Sequence, residues 1–184
     1  RDTQANASDR LQQELAVADG EISGLQSHAL AALEWSLNTD NNVAADEDAF
    51  NDALAEKIDQ LIMYLQQMDF VGEVRLISHL GQFCLMTDSG GSYQLAPPEY
   101  SALDCDHQGH RLEASSYVSD RLSVDFSRLM RGPISDKIEL NLIALDGVSS
   151  QPAVEYPPPD VTAGEWNAVA LLNNRVQIDL IPEN

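Results

Sequence analysis

The sequence predicts an α+β fold, a two-layer α/β sandwich with a helical extension at its N-terminus. Three observations predict it. Apolar residues recur at helical spacing over 11–32, 46–68 and 116–131. They alternate with period two over 73–79, 137–145 and 173–182. The two periodicities take turns along the chain and close on a strand, which is the signature of helices layered on a sheet.

The first segment carries Leu11, Leu15, Ala18, Ile22 and Leu25 at alternating spacings of four and three, continued by Ala29 and Ala32. That is a heptad seam, and it predicts a helical stalk over 1–32 that pairs along 11–32 or packs on its own domain. Ser8 and Asp9 are candidate N-caps. Gly20 and Gly24 weaken the helix by up to ~1 kcal/mol each relative to alanine. Leu30, Leu33, Trp35 and Leu37 either finish this helix or open a first strand. After the polar loop NTDNN, Phe50, Leu54, Ile58, Leu61, Ile62 and Leu65 lie on one face of a helix over 46–68. Asp46, Glu47 and Asp48 at its start suit the helix dipole.

EVRLISH (73–79) alternates as a strand, and FCLMT (83–87) is a second strand or its continuation. TDSGGS is a turn. An irregular stretch of about 88–115 follows, long enough to count as an insertion that needs pinning. Val118, Leu122, Phe126, Leu129 and Met130 then mark a helix over 116–131, stopped by Gly132-Pro133. KIELNLIAL (137–145) is a strand, and three prolines stiffen the loop at 157–159. Thr162 or Gly164 opens a short helix to about Leu172. NNRVQIDLIP is the terminal strand, with Val176, Ile178 and Leu180 on one face. The domain proper spans 33–184.

Thirty acidic residues stand against ten basic ones, a net charge of −20, and only Lys57 and Lys137 are lysines. Such a surface repels phosphate backbones and anionic headgroups, which excludes nucleic acid and polybasic membrane contact as functions. It serves solubility, or an acidic patch for a cationic partner. Hydrophobic content of 43% supplies a core. No run approaches the ~20 apolar residues of a membrane helix. No signal peptide is visible, and the polar opening RDTQANASD reads as a processed or trimmed start. Cys84 and Cys105 enclose 20 residues. In an oxidising compartment their disulfide would tie the insertion to the strand at Cys84 and contribute about 3 kcal/mol.

GVSSQP (147–152), the proline-rich loop, Thr162 and then Asn173-Asn174-Arg175-Val176-Gln177-Ile178 resemble the C-terminal third of the OmpA-like, peptidoglycan-associating domain family. The family ends similarly, on Asn-Arg-Arg-Val-Glu-Ile. EVRLISH resembles the strand that in the family leads into Gly-His-Thr-Asp, and Val118-Ser119-Asp120-Arg121 resembles the opening of its Leu-Ser-x-x-Arg-Ala helix. The resemblance spans roughly residues 33–182 and implies a strand-helix-strand-helix-strand-strand order. It also implies an aspartate and an arginine that hold the amine and carboxylate of a peptidoglycan stem peptide, since a guanidinium matches a carboxylate as a planar two-pronged donor. Asp88 and Arg121 are the candidates. The pattern departs from the family at both: Ser78-His79-Leu80-Gly81 carries no acid where Gly-His-Thr-Asp is expected. Arg121 stands one position, about 100° of helix, from the family's arginine, whose place Leu122 takes.

Cys105, His107 and His110 form C-x-H-x-x-H, which with Cys84 or His79 has the ligand types of a zinc site, though not a known zinc spacing. The disulfide is the preferred reading, with no metal and no cofactor. No nucleophile elbow, phosphate loop or HExxH motif is present, so an enzyme is not expected. The expected function is a periplasmic, non-enzymatic envelope domain that associates with peptidoglycan and is tethered to the inner or outer membrane through its N-terminal helix. With a membrane anchor upstream of this chain, the arrangement would resemble membrane-tethered OmpA-like proteins such as flagellar stator B subunits. The alternative is an OmpA-like fold that has lost wall binding and works as a protein-interaction or assembly module. A small-molecule sensor built into the insertion is a third class.

Overall fold

The computed structural model describes residues 2–183, with side chains from Arg10 onward. The chain divides after Thr39 into two compact units. The first is one long helix, α1 (Asp2–Leu37), so residues 30–37 complete the helix and form no strand. Leu11, Leu15, Ile22 and Leu25 on its seam are all more than half exposed. No helix among the described residues is long and apolar enough to cross a membrane.

The second unit is a mixed α+β body containing α2 (Asp52–Gln67), α3 (Val124–Arg131), α4 (Ala163–Asn173) and two three-stranded sheets. This composition is compatible with a two-layer fold. The main sheet joins β1 (Gly72–His79), β5 (Ile138–Ala144) and β6 (Arg175–Pro182) in the order β5-β1-β6. β1 runs parallel to β5 and antiparallel to β6, with Leu76 opposite Leu142 on one side and Ile178 on the other. Period-two alternation sets which face is buried: Val74, Leu76, Val176, Ile178 and Leu180 are buried together with Ile58 and Leu65 of α2 and Phe126 of α3. Gly72 (φ 154°) is required where β1 starts, because a Cβ there would meet the Ile181 carbonyl oxygen at 2.2 Å.

The second sheet is built from β2 (Phe83–Thr87) with β3 (Tyr93–Leu95) and β4 (His107–Gly109) on either side of it. The stretch expected to be an irregular insertion therefore supplies two strands, each only three residues long and too short to show a period. α4 holds this sheet. Trp166 Nε1 donates to the Gln82 carbonyl at 2.7 Å, and the Cys84 amide donates to Asn167 Oδ1 at 2.7 Å. At Gly81 the backbone passes so close to α4 that a Cβ would sit 2.1 Å from the Ala170 carbonyl oxygen. A capping box between Thr162 and Glu165 starts α4.

Two helices are shorter than their periodicity predicts, for one shared reason. Phe50 and Leu122 form a parallel bridge, in which the Phe50 amide donates to Arg121 O at 2.9 Å and the Ser123 amide to Phe50 O at 3.0 Å. Both segments are extended there. α2 therefore starts at Asp52 with Asn51 as its N-cap, leaving Asp46, Glu47 and Asp48 outside it. The predicted helix over 116–131 splits into a 3-10 turn at Val118–Arg121 and α3, which Ser123 caps. Phe50 and Phe126, both fully buried, pack with ring centroids 5.5 Å apart beside this bridge.

Candidate functional site

The carboxyl ends of the parallel strands β1 and β5 open towards one side of the sheet, where an α/β body commonly places a ligand. Arg121 sits there, on the 3-10 turn and not on a helix, and it is fully buried. Its Nη1 donates to the Ser78 carbonyl (3.1 Å) and to Ser78 Oγ (2.8 Å). Its Nη2 donates to the Ser115 carbonyl (2.8 Å) and the Leu145 carbonyl. All four acceptors are uncharged groups of the chain itself. Burial lowers its pKa, with the carboxylates of Asp120 and Asp146 opposing. Nε has no partner among the described residues. The guanidinium thus ties the end of β1, the exit of β5 and the segment before the 3-10 turn to one another.

Asp88 lies on the exposed turn between β2 and β3. Its Oδ1 accepts from the amides of Gly90 (2.8 Å) and Ser92 (2.9 Å), closing that turn. Among the described residues no hydrogen bond or ion pair joins Asp88 to Arg121.

Cys84 and Cys105 form a disulfide, with Cα atoms 5.4 Å apart. It ties β2 to the segment ahead of β4, in a cluster with Ala96, Ala102, Ala163 and Trp166. The histidines of C-x-H-x-x-H go elsewhere. His107 Nε2 bonds Glu113 at 2.9 Å and its ring stacks on Tyr93. Among the described residues no group of three or more His, Cys, Asp or Glu side chains is arranged around a metal position.

One face of the second sheet bounds a cleft of ≈ 450 Å³ lined by Phe83, Leu85, Tyr93, Leu95, His110 and Arg111, among others. Its floor is apolar because Phe83 and Leu85 alternate on β2 with Cys84, and Leu95 stands opposite Leu85 on β3. Phe83 and Leu85 are buried, whereas Tyr93 and Leu95 are about half exposed and form the walls. His110 is 5% exposed and also lines a second cleft, of ≈ 430 Å³, that reaches Leu80, Gly81, Gly147 and Val148 beyond the ends of β1 and β5. Burial, reinforced by the guanidiniums of Arg111 and Arg121 and opposed by Glu113, pushes the His110 pKa down to about 4. The ring is therefore neutral at pH 7. Its Nδ1 accepts from the Leu112 amide at 3.1 Å, which assigns the proton to Nε2. That N–H makes no hydrogen bond to another described residue and, unlike His79 Nδ1 and Arg121 Nε, is not sealed from solvent.

His110 drew attention in the sequence only as part of a metal pattern. Tyr93 and Leu95 carried no signal beyond a single alternation in SYQL. Compared with protein-family models, curated proteins and solved structures, the chain matches none.

Proposed function

We propose that the chain is a non-enzymatic, periplasmic module of the cell envelope that assembles with other protein through α1. On this reading its body keeps an OmpA-like arrangement without the family's wall-binding pair. The observation that carries the proposal is the seam of α1. Leu11, Leu15, Ile22 and Leu25 are exposed along one stripe of a 36-residue helix. Burying such side chains gains ~1.5–3 kcal/mol each, enough to hold two helices together. The occupant we assign is a second copy of the same helix. Three observations support the rest. From α2 onward, α2, β1, α3, β5 and β6 come in the sequence the family has, but β2, β3 and β4 stand between β1 and α3, α4 stands between β5 and β6, and a lone bridge between Asn42 and Arg175 takes the place of a first strand. A disulfide suits an oxidising compartment. The Nη donors of Arg121 and Oδ1 of Asp88 are both taken up inside the chain, which favours assembly over capture of a stem peptide.

The test is sedimentation velocity of the full chain and of a chain lacking residues 1–37. Dimers are expected only when α1 is present. They should strengthen with salt, because the charges flanking the seam, Glu14, Asp19 and Glu21, are all acidic and salt screens their repulsion. Monomers in both samples would remove the reading. Purified peptidoglycan sacculi should leave the protein in the supernatant; co-sedimentation abolished by Asp88→Asn would restore wall binding instead.

A further inference from the structure

We propose that the cleft between Phe83, Leu85, Tyr93, Leu95 and His110 binds a small, uncharged, apolar molecule that carries a carbonyl-type acceptor oxygen. This goes beyond the assembly reading and does not depend on α1. Three features define the ligand class.

The first is size and surface. At ≈ 450 Å³ the cleft falls within the ~300–1,000 Å³ usual for small-molecule sites. Its floor and walls are two buried apolar side chains, a half-exposed leucine and a half-exposed tyrosine ring. An aromatic or branched aliphatic body fits such a lining.

The second is a donor with no partner in the chain. His110 is more than nine-tenths buried, and the bond from the Leu112 amide to Nδ1 leaves the Nε2 proton as the ring's one remaining donor. That nitrogen remains open to solvent in the clefts the ring lines, so a ligand acceptor would replace water there, a net gain of ~0.5–1.5 kcal/mol. A carbonyl oxygen is such an acceptor.

The third is charge. Arg111 at the rim is engaged by its own neighbours, with Asp48 Oδ1 at 3.9 Å and the Asp46 carbonyl at 3.4 Å. Asp46 lines the cleft as well. An anion would approach past these two carboxylates on a chain of net charge −20. An ammonium group has no lone pair to accept the His110 proton. An uncharged acceptor avoids both penalties.

Matched probes test this: acetophenone (neutral, with an acceptor), ethylbenzene (no acceptor), benzoate (anion) and benzylamine (cation), each titrated into the full chain and followed by amide chemical shifts. Acetophenone is expected to shift Leu85, Leu95 and His110 saturably, with a Kd on the order of 1 mM for so small a molecule. The other three should bind roughly ten-fold more weakly or less, about what one hydrogen bond is worth. His110→Phe keeps a ring and removes the donor, so it should erase the difference between acetophenone and ethylbenzene. Leu95→Asp changes a half-exposed wall on a short edge strand, and should weaken acetophenone roughly ten-fold or more while the amide spectrum stays folded. The proposal is overturned by no saturable shift with acetophenone up to ~10 mM, or by equal affinity for ethylbenzene. Tighter binding of benzoate or benzylamine, or unchanged binding in Leu95→Asp, would overturn it equally.

Discussion

Replacing Arg121 by methionine separates a structural arginine from a ligand-binding one. The guanidinium donates four hydrogen bonds from a fully buried position, to Ser78 O, Ser78 Oγ, Ser115 O and Leu145 O. Hydrogen bonds from a charged donor are worth ~1.5–3 kcal/mol each, so the gross loss is about 6–12 kcal/mol. Methionine also relieves the desolvation of a buried cation, several kcal/mol in the opposite direction. The expected net destabilisation is about 3–5 kcal/mol, at the upper end for a single substitution. Arg121→Lys keeps the charge but has a compact ammonium in place of a fork that reaches Ser78 on one side and Ser115 with Leu145 on the other. It should lose about 2–4 kcal/mol. The assay is urea unfolding with the disulfide intact, followed through the buried Trp166. A lower midpoint with an unchanged slope is the expected result. Destabilisation below about 0.5 kcal/mol for Arg121→Met would refute the reasoning. It would mean that the carbonyls find other donors and that the arginine is free to serve a ligand.

Three further outcomes follow from particular contacts. Reducing the Cys84–Cys105 disulfide should cost about 3 kcal/mol, lowering Tm by roughly 6–12 °C in a body of this size, measured by calorimetry with and without reductant. His110 has an ordinary pKa of 6.5 when unfolded and one of about 4 when folded, so below pH 6.5 the unfolded chain binds the extra proton. Stability is therefore unaffected by this group above pH 6.5 and falls as pH drops towards 4, by about 3 kcal/mol in all at ~1.4 kcal/mol per unit. His79 is also depressed and adds loss of the same sign. Denaturant midpoints of wild type and His110→Gln between pH 7 and 4 should converge as pH falls, and parallel curves would contradict the assignment. Gly81→Ala should destabilise by about 2–4 kcal/mol, because its Cβ would lie 2.1 Å from the Ala170 carbonyl and force α4 off β2. A thermal melt within 1 °C of wild type would show that α4 can move aside at little cost.

Much of the body was legible as periodicity. Val74 and Leu76, and Val176, Ile178 and Leu180, alternate because one face of each strand is buried, and the sequence alone identified β1, β5 and β6. The seam from Leu11 to Ala32 identified α1, and of the two candidate starts for α4, Thr162 and Gly164, the structure uses Thr162 as the cap. Spacing of the cysteines made the disulfide a natural reading, and the structure forms it. Legibility failed where a distant partner overrode a local pattern. Phe50 and Leu122 carry helical spacing on both sides, yet a backbone bridge across 72 positions of chain holds both extended and moves two helix starts. The same placement turns Arg121 away from a helix surface and into the core. Asp88 was legible as a turn residue, and its carboxylate closes that turn.

By itself, then, the sequence determined the elements whose side chains repeat with a period, because burial on one face imposes that period locally. It also determined the acidic charge, which is a sum over residues and needs no fold. The tertiary structure alone decided the second sheet, since strands of three residues have too little length to show alternation and exist only through pairing with β2. It alone decided the chemistry of His110 and Arg121 as well. A pKa near 4 and a guanidinium held by four uncharged acceptors are properties of surroundings assembled from segments far apart in the chain, and no local pattern encodes them.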